Sequence, residues 1–168
     1  EFSTQGSIWS SPTYENNTVY VGTLSGSMYA VNSSSGEMRW GLETGHPIFS
    51  SPVVSENSVY FGNRGYNTSV SSPETEYFLY NINADNGTLR WKKETGQGMF
   101  GSPAVDNGTL YVGDQNGTVY AVDSTDGEVK WQFRISENRV SERGSREEFK
   151  FVSSLTVSNG TVYVPSYR

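Results

Sequence analysis

The sequence predicts an all-β fold, a β-propeller of four-stranded antiparallel blades with about three and a half blades present. Three observations predict it. A four-part motif recurs along the chain, which is the mark of a repeat architecture. The parts are short runs rich in Val, Tyr, Phe and Trp, residues that suit a pleated, half-buried surface. Clusters of Gly, Asn, Asp and Ser separate the runs, as hairpin turns do. No stretch carries a helical period. With 34% hydrophobic, 14% aromatic and 18% charged residues and 18 Gly, the chain is too aromatic for disorder and rich in turn formers.

In the first unit, Ser11-Pro12-Thr13-Tyr14 opens the first strand and Thr18-Val19-Tyr20-Val21-Gly22 makes the second. Met28-Tyr29-Ala30-Val31-Asn32 is the third, and Ser35-Gly36-Glu37-Met38-Arg39-Trp40 turns into the fourth. The second unit repeats this as Ser51-Pro52-Val53-Val54, Ser58-Val59-Tyr60-Phe61-Gly62, Leu79-Tyr80-Asn81-Ile82-Asn83 and Asn86-Gly87-Thr88-Leu89-Arg90-Trp91. The third runs through Ser102-Pro103-Ala104-Val105, Thr109-Leu110-Tyr111-Val112-Gly113, Val119-Tyr120-Ala121-Val122-Asp123 and Asp126-Gly127-Glu128-Val129-Lys130-Trp131. A fourth begins with a weaker copy, Ser153-Ser154-Leu155-Thr156, followed by Thr161-Val162-Tyr163-Val164. Blades are expected over residues 7–44, 45–95 and 96–135, with a half blade over 149–168. Residues 1–6 read as a tag- or linker-like segment, in which Glu1-Phe2 is consistent with a cloning scar. Ser35-Gly36, Asn86-Gly87, Asn107-Gly108, Asn116-Gly117, Asp126-Gly127 and Asn159-Gly160 are expected to form tight type I′ hairpin turns, which need positive φ at both central residues.

Two insertions interrupt the repeat. Trp40 and Trp91 lie 51 positions apart, whereas Trp91 and Trp131 lie 40 apart, so 11 extra residues sit in the second unit, within 63–76. A second insertion, 136–148, separates the third unit from the fourth. In an up-and-down blade the second-to-third loop and the blade-to-blade loop leave the same end, so both insertions decorate one face. Loops on a repeat scaffold carry function, and that face is the candidate binding surface. Its candidate contact residues are Arg64 and Tyr66 in the first insertion and Arg139, Arg143 and Arg146 in the charge-alternating second.

Other chemistries are poorly supplied. Zero Cys excludes disulfides, Cys-ligated zinc and thiol catalysis, and one His, His46, excludes a two-His metal site within one chain. A net charge of -6 argues against nucleic acid, and no apolar run approaches the ~18 residues of a membrane span. Asp114-Gln115-Asn116-Gly117 and Asp123-Ser124-Thr125-Asp126-Gly127 lack the spacing of a calcium loop and fall where the repeat requires turns. Asn-x-Ser/Thr sequons begin at Asn16, Asn32, Asn67, Asn86, Asn107, Asn116 and Asn159; only Asn67 lies outside the regular repeat, which makes it the candidate glycosylation site.

The sequence of Ser-Pro, Val-Tyr-Val-Gly, Tyr-Ala-Val-Asp and Gly-Glu-x-x-Trp resembles the pyrroloquinoline-quinone-like (PQQ-like) repeat over about residues 7–168. That resemblance implies a propeller in which Trp40, Trp91 and Trp131, with Gly36, Gly87 and Gly127, form a tryptophan-docking motif packed between neighbouring blades. The family includes quinoprotein alcohol dehydrogenases and non-catalytic propellers such as the lipoprotein of the bacterial outer-membrane assembly machinery and prokaryotic surface proteins. The dehydrogenases carry adjacent Cys residues and a calcium site, and this chain has no Cys.

The reading that follows is a non-enzymatic scaffold of an extracytoplasmic archaeal or bacterial protein, at the cell surface, secreted or periplasmic. It binds a protein or glycan through the loop-bearing face and takes no cofactor. One alternative is an N-terminal fragment of a PQQ-dependent dehydrogenase, with PQQ and calcium as its cofactors. Another is a surface-layer or filament element joined edge to edge. A second propeller segment or a homo-oligomer through the blade edges is expected to complete the ring.

Overall fold

The computed structural model describes residues 2–64, 77–99, 101–135 and 154–165. The first blade comprises β1 (Thr13–Glu15), β2 (Thr18–Gly22), β3 (Ser27–Asn32) and β4 (Met38–Glu43). The second comprises β5 (Val53–Ser55), β6 (Ser58–Gly62), β7 (Phe78–Asn83) and β8 (Leu89–Glu94), and the third β9 (Ala104–Asp106), β10 (Thr109–Gly113), β11 (Thr118–Asp123) and β12 (Val129–Arg134). A hairpin of β13 (Thr156–Ser158) and β14 (Thr161–Tyr163) follows. Strands pair in chain order and antiparallel within each sheet. The fold is thus an all-β propeller of three four-stranded blades and half of a fourth.

The repeat's apolar residues meet between blades rather than within them, because a flat four-stranded sheet can bury its faces only against its neighbours. Tyr20, Met28, Ala30 and Trp40 of the first blade pack on Ile48, Phe61, Tyr80 and Ile82 of the second. Tyr60 and Leu79 in turn meet Met99, Leu110, Val112 and Val122 of the third. Ala104 and Val119 meet Leu155 of the half blade. With neighbours on both faces, β6 is buried at every position, whereas β12 is exposed at every position.

The first strands of successive blades are laced together by serines. The Ser11 backbone N–H donates to Ser51 Oγ (2.8 Å), Ser51 N–H to Ser102 Oγ (3.0 Å) and Ser102 N–H to Ser154 Oγ (3.1 Å). This corrects the expected start of the fourth unit. Ser154, not Ser153, stands in line with Ser11, and the copy is Ser154-Leu155-Thr156-Val157, with Leu155 at the place of the prolines. Pairing agrees, since Thr13 faces Tyr20 in β1–β2 and Thr156 faces Tyr163 in β13–β14.

The turns need a second correction. Asn107-Gly108 and Asn159-Gly160 do place both residues at positive φ, but so do Asn16-Asn17 and Glu56-Asn57, which have no Gly. At Gly36, Gly87, Gly117 and Gly127 only the glycine is left-handed. The connection from third to fourth strand is longer than a two-residue hairpin. Gly36 N–H bonds back to Asn32 O (2.8 Å) and Asn32 N–H to Glu37 O (2.8 Å), and the ladder shifts register between Ala30 and Val31. The same bulge recurs at Asn81/Ile82 and Ala121/Val122. A bulge adds twist to the outer strand; its extra residue is Arg39, between Met38 and Trp40, and the left-handed Gly36 belongs to the turn before it.

The connections sort to two ends. At one, Ser33 N–H bonds Asn17 O, Ala84 N–H bonds Asn57 O and Ser124 N–H bonds Gly108 O, each 3.1 Å, tying the first turn of a blade to its last. At the other, Thr44 N–H bonds Gly26 O (2.7 Å), Thr95 N–H bonds Tyr77 O (2.8 Å) and Ile135 N–H bonds Gly117 O (2.9 Å), tying the second-to-third loop to the exit of the fourth strand.

Candidate functional site

Between blades, Trp40 and Trp91 each make a directional contact. Trp40 Nε1 donates to Ala84 O (2.9 Å) in the closing turn of the next blade, and Tyr20 OH donates to the same carbonyl (3.3 Å). Trp91 Nε1 (3.1 Å), Tyr60 OH (3.4 Å) and Asn81 Nδ2 (3.1 Å) converge on Ser124 O. The indole lies flat over a glycine: a Cβ on Gly87 would stand 2.7 Å from Trp40 Cδ2, and one on Gly127 3.0 Å from Trp91 Cε3. A buried aromatic with a polar tip needs such a partner, and the carbonyl supplies it. Burial also pushes the Tyr20 hydroxyl pKa up. Trp40 is 7% exposed, and Trp131, paired with Tyr111 within its own blade, is 44% exposed.

The loop-bearing end is built on the polar residue that closes each second strand. Thr23 Oγ1 accepts Ser27 N–H (3.1 Å), Asn63 Oδ1 accepts Phe78 N–H (2.6 Å) and Asp114 Oδ1 accepts Thr118 N–H (2.9 Å). Asn63, which the sequence places in the insertion, is therefore part of the blade frame. Tyr120 OH donates to Asp114 Oδ2 (2.9 Å); burial first, and the Asp114 contact second, raise the Tyr120 pKa.

On this frame sits a cluster of two rings and a guanidinium. Trp9 meets Phe49 edge to face (5.9 Å between centroids), and Arg64 lies over the other ring of the group, its Cζ 5.7 Å from the Phe49 centroid. Trp9 is 71% exposed. Its backbone is fixed from both sides. Ser10 Oγ accepts from Gly22 N–H and donates to Gly22 O, both at 3.0 Å, and Leu24 N–H bonds Ser7 O (2.9 Å). Ser50 and Gly62 repeat the exchange beneath Phe49, and Arg64 N–H bonds Pro47 O (2.9 Å). Further toward the N-terminus, Phe2 packs edge-on against Tyr29 (5.4 Å).

Of the nominated contact residues, Arg64 falls in this cluster, while Tyr66, Asn67, Arg139, Arg143 and Arg146 lie outside the described residues. Sequence reasoning passed over Trp9 and Phe49. The signal for them was present in the repeat itself, as Ile8-Trp9-Ser10-Ser11 and Ile48-Phe49-Ser50-Ser51. Among the described residues the tight-turn end is the more acidic of the two, since Glu43, Glu94 and Asp114 stand at the loop-bearing end with Arg64 and Arg134. Glu15, Glu37, Glu56, Asp85, Asp106, Asp123, Asp126 and Glu128 stand at or beside the tight turns, against Arg39, Arg90 and Lys130.

Among the described residues no group of three or more His, Asp or Glu side chains could hold a metal ion, and no helix is long and apolar enough to cross a membrane. A polyanionic quinone with its calcium would need several cations, or an oxygen-rich ligand set, in one place. The cluster at Trp9 has one guanidinium among its described residues, and that cluster does not fit the group.

Blades stitched by a tryptophan clamp on the next blade's turn define a β-propeller of PQQ-like repeats. The chain belongs to the family described as outer membrane protein assembly factor BamB, which matches residues 2–168. The Yersinia pestis outer membrane protein assembly factor BamB is 28% identical over 150 residues, covering 89% of this chain and 36% of the relative. A tetrathionate hydrolase of Acidithiobacillus ferrooxidans is 26% identical over 151 residues, covering 76% of this chain and 29% of its own length. The chain thus spans about a third of the curated relatives it matches. Among solved structures, BamB from Moraxella catarrhalis aligns with a TM-score of 0.76 at 20% identity, over 99% of this chain and 46% of that one. A quinohemoprotein alcohol dehydrogenase from Pseudomonas putida aligns at 0.68 and 18% identity, over 91% and 30%. Likenesses of that identity establish the shared fold.

Proposed function

We propose that the chain is a non-enzymatic propeller module of an extracytoplasmic bacterial protein, and that it holds a protein partner against its loop-bearing end. The observation that carries this reading is Trp9, a large indole left 71% exposed on a rigid support beside an arginine. Trp and Arg are the residue types that most often dominate interface energies, and an aromatic of this size offers ~150–250 Å² to a partner. Membership of a family described by an assembly factor supports a protein partner. The test is site-specific photo-crosslinking in intact bacterial cells. A photoreactive residue at position 9 or 64 is expected to give a discrete adduct, and one at position 128, on the opposite end, none. Adducts only from position 128 would overturn the assignment of the face.

A quinoprotein reading is favoured by the likeness to the alcohol dehydrogenase fold alone. Titration with the quinone and calcium, followed by absorbance, distinguishes the two. Saturable, calcium-dependent binding by this chain would replace the scaffold reading with the enzymatic one.

A further inference from the structure

We infer that, of the two packed slabs joining whole blades, the one between the second and third blades is built to open first, and that Asn81 sets this by holding a bare carbonyl oxygen inside it. The inference concerns a conformational device in the fold and does not depend on which face docks a partner.

The polar content of this slab follows from one exchange within the repeat. Ala30 in β3 and Ala121 in β11 each stand just before the bulge, paired with the tryptophan of their own blade, and in β7 that place is taken by Asn81, paired with Trp91. Both alanines are fully buried and Asn81 is 1% exposed. Its Nδ2 donates to Ser124 O across the slab (3.1 Å), while its Oδ1 has no hydrogen-bond partner among the described residues. Turning the amide over does not help, because the oxygen would then face the Ser124 oxygen. Ser124 O also accepts Trp91 Nε1 and Tyr60 OH, so three donors compete for two lone pairs. A buried acceptor left without a donor keeps its full desolvation penalty, and the low-dielectric surroundings enlarge it.

The slab between the first and second blades is built more tightly. There Ala84 O accepts two donors, Trp40 Nε1 and Tyr20 OH, and the place of the amide is held by Ala30. The fit of the indole differs as well. Trp40 is 7% exposed and would meet a Cβ on Gly87 at 2.7 Å, whereas Trp91 is only partly buried and would meet one on Gly127 at 3.0 Å. At the rim of the second-to-third slab, Lys93 pairs with Glu128 at 3.7 Å with both side chains exposed, a contact that water and salt weaken. An opening here parts Tyr60 and Leu79 from Leu110, Val112 and Val122, and the ladder of the third blade loses packing that protects its amides.

The experiment compares the full chain with its Asn81→Ala variant, which restores the residue that the other two blades carry at this place. Ser124 O keeps Trp91 and Tyr60 as donors in that variant, so no further polar atom is stranded. The melting midpoint is expected to rise by about 2–4 °C. Native-state hydrogen exchange in β10 and β11 should slow about fivefold or more, while exchange in β2 and β3 stays as it was. A lowered midpoint, or exchange in β10 and β11 that does not slow, overturns the inference, because the amide would then strengthen the slab or leave it unchanged. Equal slowing in β2 and β3 overturns it too, since the effect would not belong to this slab.

Discussion

At the residue scale the same side chain has different energetic weight in different blades. Trp40 is 7% exposed and donates to Ala84 O, so Trp40→Ala removes a buried ring and the shorter of the two hydrogen bonds to that carbonyl; a loss of ~3–5 kcal/mol is expected in denaturant titration. Trp131, at 44% exposure, is expected to cost about 1 kcal/mol on the same substitution. Glycines divide in the same way. Gly87 has φ +72° with Trp40 at 2.7 Å from a would-be Cβ, so Gly87→Ala meets both backbone strain and overpacking, about 3 kcal/mol together. Gly160 has φ +71° and nothing within 4 Å, so Gly160→Ala meets only the strain, ~1–2 kcal/mol. A Gly160→Ala variant as unstable as Gly87→Ala would refute the close-approach argument.

At the element scale the turns carry the testable differences. Glu56 adopts φ +48° in the first turn of the second blade, where the third blade has Asn107 followed by Gly108. Glu56→Gly relieves the left-handed strain and gives back part of it as chain entropy, for a net gain of ~0.5–1 kcal/mol in a melting curve. In the closing turn of the third blade, the Thr125 N–H, and after it Lys130, hold the Asp123 carboxyl below the usual carboxylate range. A lowered folded-state pKa means the charged form is stabilised by folding. That contribution is complete above the unfolded carboxylate value near ~4 and is lost as pH falls through the lower folded value. Asn32 and Asn83 hold the same place in the other blades and accept the same turn bonds. Asp123→Asn therefore keeps the turn and loses the Lys130 pair, and its melting temperature should fall less than the wild type's between about pH 5 and about pH 2. An unchanged acid slope would show that Asp123 has no part in it. These elements also show what the sequence made legible. The strands, their order and the Trp–Gly spacing follow from a period that repeats in every unit, and averaging over copies removes local ambiguity. The turn geometry did not follow, because Asn16-Asn17 and Glu56-Asn57 take by tertiary pairing a conformation that composition assigns to Gly. The fourth unit's start slipped by one residue because Ser153 and Ser154 are adjacent and Leu155 stands where Pro marks the other copies. Trp9 and Phe49 carry no sequence mark of a contact site for a related reason: they keep the period of the repeat, whereas the insertions at 63–76 and 136–148 depart from it.

At the scale of the molecule, stability resides in the slabs between blades, since each sheet contacts only its neighbours. The second blade shares both of its faces, and every residue of β6 is buried. The third blade shares its faces through β9 to β11, while β12 is exposed throughout, and β13 and β14 are short with exposed and half-buried positions alternating. Local opening then costs most where two slabs must be broken and least where a hairpin detaches from one. Native-state hydrogen exchange is expected to give a gradient: slowest amides in β6 and β7, intermediate ones in β2, β3, β10 and β11, and fastest in β13 and β14. Trp40→Ala, which weakens the slab between the first and second blades, should speed exchange in β2 and β3 more than in β10 and β11, because the perturbed interface is not shared with the third blade. Uniform acceleration across all blades would show that the array opens as a single cooperative unit rather than slab by slab, and would remove nearest-neighbour packing as the account of its stability.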